Sequence, residues 1–577
     1  MKNILTLTLL LYFSFPFQAL SQEDLSEFFE DKYQKKLDRY DIVGMSMGLI
    51  QNGEIIHRQN FGYENKEKGI KTSSKTPYQI GSLSHVFTAI ALLKLQEEGK
   101  VDINESIRKY IPELQINTLL KEENNLLIKD ILSHTAGLTI NVSNGFYSED
   151  VDYTWLIKKL NEQYITKSPN HLFNRNHIGY SLLGYLIEKI TNQTYSEYMK
   201  TEVFEELEMY DSYVFNSDST ISKIYTEGNQ YNPLPLRDKA SLGIISTLDD
   251  LLSFIHFMTN EGKSKNKQFL SAKSVNLLET NFLKSNNIPY SHGYSLGLNL
   301  LPVKILEGSK RELDTLVESV GNSNGFHASL SYLKHKKLGA VMLSNSKKGD
   351  KLKHTYRLLK YYLQNKHLKL DLNSSPYEKM FDSSALTLTR EQLIGRYYID
   401  KAIVEVENLK KFKHKESYRA YIYKEVEPNL YKIKWRYFGF INLTEPFTRY
   451  LFIEQHDQIY LCKLNTRSNL LLYKGQKSNT EQIHPNWSKI TGEYKAIDVV
   501  KSDFNKNDCC VDIVISIKDN HLLIEYPYNK NAPEIMFNAE NPQAAFSIGI
   551  TNNTGISLTK LANENLSLMG YEYEKVN

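Results

Sequence analysis

Residues 80–89 read IGSLSHVFTA, and this stretch decides which fold the remaining sequence is compared with. Apolar residues recur at helical spacing after His85, so the pattern predicts a long helix from Ser82 to about Glu98. His85 follows Ser82 by three residues, a spacing that places both side chains on one helical face. A neutral imidazole is a competent base at pH 7, so such a pair could activate the serine as a nucleophile.

Five further segments follow this stretch in a fixed order. They are LSHTAGL at 132–138, GYSLLG at 179–184, SLGIIST at 241–247 with Asp249-Asp250-Leu251, Gly325-Phe326, and Leu343-Ser344-Asn345. Together the six segments resemble those of the serine β-lactamase and penicillin-binding-protein family, in particular its class C β-lactamase-related serine hydrolases. The resemblance covers roughly residues 24–365. It implies an α+β fold in which helices flank an antiparallel sheet and a helical subdomain is attached.

The hydrophobic periodicity points to the same architecture. A first amphipathic helix is expected over 23–40, and an Asn-Gly turn at 52–53 joins two strands in a hairpin. Terminal strands with helices between them suggest an antiparallel sheet with a helical layer. Further helices are predicted at 127–132, 180–191 and 248–260, and further strands at 294–298, 326–333 and 338–344.

The resemblance also implies which residues form the site, and here the sequence departs from the family. The family's serine falls on Ser82, and its lysine one helical turn later is replaced by His85. The Tyr-x-Asn motif falls on Arg175-Asn176-His177, and the Lys/His-x-Gly motif on Ser319-Val320-Gly321. By the same alignment the second backbone N–H of the oxyanion hole belongs to Asn322.

Two hypotheses for function follow from these departures. In the first, the protein is a serine hydrolase that cleaves an ester or amide through an acyl-enzyme at Ser82. His85 then serves as the base, and Arg175 adds positive charge near the carbonyl or binds an acidic group. In the second, the protein is a catalytically impaired pseudoenzyme that binds a glycan, peptide or protein, because an arginine is effectively never a base. His134 is expected to be a structural hydrogen-bonding residue.

Several classes of function have no support in the sequence. The formal net charge is +3 and no basic block occurs, so nucleic acid is not an expected partner. No His-Glu-x-x-His, Gly-x-Ser-x-Gly or Walker motif is present, so we expect neither a metal nor another cofactor. The three cysteines, Cys462, Cys509 and Cys510, fit no zinc or disulfide framework.

The first 21 residues predict a signal peptide. Lys2 precedes an apolar run from Ile4 to Phe17, which is shorter than the ~20 residues of a membrane span. Cleavage is expected after Ser21, so the mature chain would have no stable membrane span. The protein is therefore expected to be exported to the periplasm or the cell exterior.

The C-terminal part has a different pattern of predicted secondary structure. Residues 22–365 form the expected hydrolase-like domain, residues 366–390 a polar linker, and short alternating strands follow in two β-rich units at 391–478 and 484–577. LIGRY at 393–397 is echoed by ITGEY at 490–494, which suggests that the units are related. They are expected to form barrel- or lipocalin-like structures that pack on the first domain or dock a protein partner.

Overall fold

The structure is a computed structural model of the 577-residue chain. The predicted signal peptide, Cys509 and Cys510 lie outside the residues that it describes. The described residues are 22–118, 125–165, 167–264, 267–285, 293–352, 355–372, 388–399, the strands between 402 and 478 named below, 483–500, 511–518, 520–527, 535–547 and 556–576.

The N-terminal part is built on an antiparallel sheet, as predicted. The first strand, Gly44–Gln51, pairs with Leu338–Ser344, which lies almost 300 residues later in the chain, so Met47 faces Met342. From edge to edge the strands are Gly293–Tyr294, Asn299–Glu307, Lys310–Ser323, Phe326–Leu333, Leu338–Ser344, Gly44–Gln51, Glu54–Asn65 and Ile70–Lys71, and Lys369–Asp371 also pairs with Asn299–Glu307.

Most predicted elements of this part are present, but the single strand expected at 294–298 is wrong. The hairpin around residues 52–53 and the strands Phe326–Leu333 and Leu338–Ser344 are confirmed. At 294–298 the chain instead turns between two strands. Gly297 lies at φ 96° in this turn, and a Cβ there would come within 2.7 Å of the Val86 backbone nitrogen. The turn packs so closely on the helix that a straight strand cannot be accommodated.

Helices cover both faces of the sheet. Side chains of successive strand residues point to opposite faces, so Met342 joins one core and Leu343 the other. The Met342 face packs against the helices Gln22–Tyr40 and Tyr356–Asn365. The 3-10 turn Lys347–Leu352 contributes Leu352 to the same core. The other core is shared by the helices Ser84–Glu97, Ile128–Leu132, Tyr153–Asn161, His177–Thr191, Tyr195–Tyr198, Lys239–Leu242, Leu248–Thr259, Ala272–Leu278 and Phe282–Ser285, with 3-10 turns at Gly81–Leu83 and Ile107–Lys109 and a π-helical turn at Met199–Phe204.

Four small sheets complete this part. One of them, formed by Tyr78–Gln79, Ile244–Ser246 and Tyr213–Val214, directly precedes Ser82 and so supports the site. The others are Asn117–Thr118 with Tyr164–Ile165, Ile224–Thr226 with Asn229–Tyr231, and Lys263–Ser264 with Lys267–Gln268.

Two β-units follow, and each opens with a one-turn helix. The first β-unit begins with the helix Arg390–Leu393, and its strands in sheet order are Tyr421–Glu427, Lys411–His414, Ala402–Asn408, Gly395–Ile399, Leu470–Ser478, Gln458–Asn465, Thr448–Gln455, Leu430–Tyr437 and Ile441–Thr444. Tyr421–Glu427 also pairs with Leu430–Tyr437, so the hydrogen-bonded path returns on itself. Cys462 is buried in this unit with a free thiol.

The second β-unit is a closed eight-stranded barrel, which confirms the predicted barrel-like C-terminal region. It begins with the helix Pro485–Ser488. Its strands are Gly492–Ala496, Ile513–Lys518, His521–Glu525, Ile535–Asn538, Ala544–Ser547, Ser557–Lys560, Leu566–Leu568 and Tyr571–Lys575.

The sequence echo between the two units corresponds to one repeated local structure. Gly395 and Gly492 both follow the one-turn helix at positive φ, 146° and 138°. Two residues later, the Tyr397 and Tyr494 hydroxyls donate to carbonyls four residues upstream at 2.9 and 2.8 Å. Because identical contacts fix both openings, the two units are structurally related.

None of the helices that the structure describes is long and apolar enough to cross a membrane.

Candidate active site

Ser82 lies at the beginning of a helix, as predicted, but within a tighter turn. The 3-10 turn Gly81–Leu83 runs directly into the α-helix Ser84–Glu97. Ser82 keeps 9% of its surface exposed, whereas Leu83 is fully buried. Among the described residues, no group hydrogen-bonds the Ser82 hydroxyl. Ser82 therefore lies at the edge of the hydrophobic core, and its hydroxyl oxygen has no hydrogen-bond partner among the described residues.

A short strand holds this turn from behind. The Ile80 N–H donates to the Ile244 carbonyl at 2.9 Å. In return, the Ile244 N–H donates to the Ser84 hydroxyl oxygen at 3.2 Å. The backbone on both sides of Ser82 is thus tied to one residue of the strand Ile244–Ser246.

The Ser82 turn also contacts the strand Lys310–Ser323, which carries the third predicted motif. Both the turn and the strand have a glycine at this contact. A Cβ on Gly321 would lie 1.8 Å from the Ile80 carbonyl oxygen. Gly81 has φ 55°, a left-handed conformation, and a Cβ there would lie 2.8 Å from the Asn322 backbone. The two backbones therefore meet without side chains between them, so the turn and the strand sit in one fixed relation.

The other two third-motif residues lie on either side of this contact. Ser319 is buried, and its hydroxyl donates to the Gly297 carbonyl at 3.4 Å. Asn322 is exposed, and its side-chain oxygen lies 2.7 Å from Nδ1 of His327. Ser319 therefore faces the interior, and Asn322 faces solvent beside the Ser82 turn.

The contacts of His85 are with residues other than Ser82. Its Nε2 lies 3.0 Å from the Ser241 hydroxyl oxygen, and its ring stacks on Tyr180 at a centroid distance of 3.9 Å. The side chain is fully buried, and Nδ1 has no hydrogen-bond partner within the described residues. No hydrogen bond joins it to Ser82 in that part of the chain. The i, i+3 spacing places both residues on one face, but the His85 ring is engaged by Ser241 and Tyr180.

Ser241 links His85 to a second predicted site residue, His177. The Ser241 hydroxyl lies 3.1 Å from Nδ1 of His177, which is the first residue of the helix His177–Thr191. A hydroxyl has a single proton to donate, so at least one of the two rings must donate its N–H to Ser241. Sequence reasoning assigned no role to Ser241, although this residue lies in the segment SLGIIST at 241–247, one of the six quoted above.

Three imidazoles in this cluster are held in the neutral form. Burial lowers the pKa of His85 and of His134 well below the usual histidine value, and the positive charge of Arg175 adds to the effect in both. Burial likewise lowers the pKa of His177 to about 4, although the Asp238 carboxylate acts in the opposite direction. All three rings are therefore uncharged near neutral pH.

Arg175 is the cation at the centre of this cluster. Its Nη2 donates to the Val320 carbonyl at 3.3 Å, so it bridges the helical layer and the sheet. Its Nε is buried and has no hydrogen-bond partner, and none of the described carboxylates lies within ion-pair distance. A guanidinium in this state can still bind an anion or stabilise negative charge that develops in a reaction.

His134 has the structural role that the sequence suggested. It is fully buried at φ 59°, and its Nδ1 accepts the Asn176 N–H at 3.4 Å. Asn176 in turn caps the following helix by accepting the Gly179 N–H at 2.7 Å. Both residues therefore shape the backbone that presents Arg175 and His177.

A cavity of about 470 Å³ opens beside the Ser82 turn. Two predicted site residues, His177 and Asn322, line it, so it lies between the helical layer and the third-motif strand. The other lining residues are Phe146, Tyr147, Leu242, Ser323, Asn324, Gly325, Phe326, Lys347 and Asp350. Within the described residues no group of three or more histidine, cysteine or acidic side chains could hold a metal ion.

The family model for β-lactamases matches residues 29–363, which is more than half of the chain. The chain belongs to the β-lactamase family. This assignment agrees with the resemblance of the six segments and with the sheet-and-helix fold around Ser82.

Individual relatives of this β-lactamase-family chain are distant. It is 27% identical to Protein flp of Staphylococcus aureus strain MW2 over 292 residues, 48% of this chain and 56% of that one. It is 29% identical to Teichoic acid D-alanine hydrolase of Staphylococcus aureus strain MRSA252 over 208 residues, 35% of this chain and 49% of that one. The chain thus spans about half the length of the curated relatives it matches.

One solved structure shares the fold over a longer part of the chain. The octameric penicillin-binding protein homologue from Pyrococcus abyssi has a TM-score of 0.50 and 20% identity, and the match covers 78% of this chain and 99% of that one. At this identity the likeness concerns the fold alone. It extends beyond the part matched by the family model, so it includes some of the C-terminal β-units.

Proposed function

We propose that this β-lactamase-family protein is a serine hydrolase that cleaves an ester or amide through an acyl-enzyme at Ser82. The observation that carries the proposal is the close approach of two backbones, in which a Cβ on Gly81 would lie 2.8 Å from the Asn322 backbone and a Cβ on Gly321 would lie 1.8 Å from the Ile80 carbonyl oxygen. This contact fixes the Ser82 turn against the strand that presents Asn322. Such a fixed relation between a nucleophile and backbone donors is what acyl transfer requires.

In the proposed reaction, the Ser82 oxygen attacks the carbonyl carbon while its proton passes to a base. The bond from the carbonyl carbon to the leaving oxygen or nitrogen then breaks, and the leaving group takes up that proton. Water attacks the resulting acyl-enzyme, which releases the acid and restores the serine. The backbone N–H groups of Ser82 and Asn322 are the proposed donors to the oxyanion.

We assign the base to His177 and not to His85. His85 is fully buried and engaged with Ser241, whereas His177 lines the cavity beside the Ser82 turn. If Nδ1–H of His177 donates to Ser241 and the Ser241 hydroxyl donates to His85, Nε2 of His177 is left with a free lone pair. The His177 pKa of about 4 makes it a weak base, which favours esters over the less reactive amides.

Arg175 favours substrates in which negative charge develops or is already present. Its guanidinium is held by one backbone carbonyl and is not neutralised by a described carboxylate. The similarity to Teichoic acid D-alanine hydrolase supports a D-alanyl group as the first acyl group to test. Genuine β-lactam hydrolysis is not part of this proposal.

The experiment is covalent labelling of residues 22–577 with a fluorophosphonate and, separately, a fluorescent penicillin, followed by peptide mapping. We expect the fluorophosphonate to modify Ser82, Ser82→Ala to abolish labelling, and His177→Ala to slow it more than His85→Ala does. Ser319→Ala serves as a control for a buried hydroxyl near the site. If a folded chain gives no adduct, the hydrolase proposal fails, and the pocket is to be studied as a binding site for a glycan, peptide or protein.

We also propose that the chain is exported after cleavage behind Ser21. The support is the apolar run between Ile4 and Phe17 and the small residues that follow it. N-terminal sequencing of the protein from periplasmic and culture-medium fractions tests this and separates the two locations. Recovery of a full-length chain from the cytoplasm alone would refute export.

A further inference from the structure

The closed barrel contacts the N-terminal part beside the cavity. We name residues 140–147 the wall segment, because its last two residues, Phe146 and Tyr147, line the cavity. Ile140 packs against the hydrophobic core of the barrel. The barrel's last hairpin turn reaches the same segment, since the Met569 carbonyl accepts the Ser143 N–H at 2.8 Å.

Asn144 carries most of this contact. Its side-chain NH₂ group donates to the Asp498 and Gly570 carbonyls at 3.0 and 3.1 Å, and its side-chain oxygen accepts the Val500 N–H at 2.9 Å. The residue is fully buried. An amide side chain has two N–H donors and one oxygen, so all of these groups are engaged by the backbone of the barrel. All three hydrogen bonds can form together only when the barrel is in one position relative to Asn144.

The backbone of Asn144 is held from the opposite side by Arg237. This arginine donates to the Asn144 carbonyl at 2.7 Å and to the Val142 carbonyl at 2.9 Å, and its own N–H donates to the Phe146 carbonyl at 3.0 Å. It is buried and paired with Asp238 at 2.7 Å. The wall segment is thus clamped between the barrel and this ion pair.

Arg237 and Asp238 are connected through the chain to the cluster of His85, His134 and His177. The helix Lys239–Leu242 follows them and carries Ser241, the residue that hydrogen-bonds both His85 and His177. The wall segment contacts the cluster by a second route, because the Ile140 carbonyl accepts the His177 N–H at 3.2 Å. Both connections join the barrel contact to groups assigned to the reaction.

We propose that Asn144 is a positioning residue through which the second β-unit holds the cavity wall and the His177 end of the site in place. The inference rests on the proposed hydrolase function, and it adds the barrel as a component of the active site. It implies that substrates are recognised against Phe146 and Tyr147 only while the barrel is docked.

The test compares two variants at the same interface in the full chain. Asn144→Ala removes three hydrogen bonds to the barrel, and Gln163→Ala removes two, one donated to Ser567 and one accepted from Ser557, at a point away from the cavity. Hydrogen-exchange mass spectrometry measures the exchange rate of the backbone amides in the wall segment, and this measurement does not require the protein to be active. We expect Asn144→Ala to accelerate exchange over 140–147 by about tenfold or more, and Gln163→Ala to leave that segment unchanged.

Activity provides the second readout. With p-nitrophenyl acetate and the longer p-nitrophenyl butyrate, Asn144→Ala should raise KM for the butyrate about tenfold and lower kcat less, because the wall that receives the acyl chain is displaced. If the wild type hydrolyses neither ester, the proposed function fails, but the exchange experiment still decides whether Asn144 holds the wall. Equal exchange and equal KM in the two variants would overturn the positioning role.

A second variant acts from the barrel side in case Asn144→Ala does not fold. Gly570 lies at φ 86°, and a Cβ there would come within 2.4 Å of the Val142 side chain. Gly570→Ala should therefore displace the wall segment and reproduce the rise in exchange over 140–147. Unchanged exchange in a folded Gly570→Ala chain would count against the proposal.

Discussion

Gly321→Ala is the perturbation that most directly tests the geometry around Ser82. Its Cβ would lie 1.8 Å from the Ile80 carbonyl oxygen, and Cβ contacts in proteins are essentially never shorter than 3.0 Å, so the two backbones must separate by about 1.2 Å. A displacement of about 1 Å at a reacting group costs roughly 100-fold in rate. We therefore expect fluorophosphonate labelling of Ser82 to slow by about two orders of magnitude.

The same substitution should destabilise the fold by an amount typical of overpacking, about 1–3 kcal/mol, which a thermal melt measures. Gly339→Ala is the matched control, because it lies in the same sheet and the nearest atoms to its Cβ belong to side chains, Ile255 at 2.5 Å and Tyr332 at 3.3 Å. It should lower stability without slowing the labelling of Ser82. Wild-type labelling by folded Gly321→Ala, or equal slowing by Gly339→Ala, would refute the reasoning.

Other contacts give four further predictions. The pKa of His177 is lowered to about 4 in the folded chain, so its contribution to stability is present above pH 6.5 and is lost as the pH falls towards 4; thermal melts across this range should show it. Arg175→Ala removes a charge that lowers this pKa, so the pH midpoint of Ser82 labelling should move upward. Ser241→Ala should cost about 1–3 kcal/mol in denaturant unfolding, because it leaves buried imidazole nitrogens without a partner. Lys159→Met removes a 2.6 Å ion pair with the second β-unit and should cost about 1–3 kcal/mol, whereas exposed Lys158→Met should be neutral in the same melts.

The sequence predicts the elements of the N-terminal part well, because local patterns specify them. The 52–53 turn and the strand at 326–333 are encoded by neighbouring residues, and the structure has both. The ordered motifs likewise place Gly321 near Ser82 through the family resemblance. The closeness of that contact depends on two distant backbones, and no spacing along the chain reveals it.

The partner of His85 could not be predicted for a different reason. The i, i+3 spacing predicts the helical face on which His85 lies, but it does not predict which residue of another element its ring will hydrogen-bond. His85 then meets Ser241, which is 156 residues away in sequence. A partner at such a distance is decided by tertiary packing.

Under the alignment implied by the family resemblance, the residues at positions 85 and 175 can be understood as one coupled change. A lysine at position 85 would be fully buried close to Arg175, and burying an uncompensated ion costs several kcal/mol. Asp238, the acid whose charge acts on His177, is already paired with Arg237. A neutral imidazole at position 85 avoids placing a second cation near half-buried Arg175, so the positive charge of the site resides at Arg175, bonded to the third-motif strand. Substrate searches should therefore begin with esters whose reaction places negative charge beside Arg175.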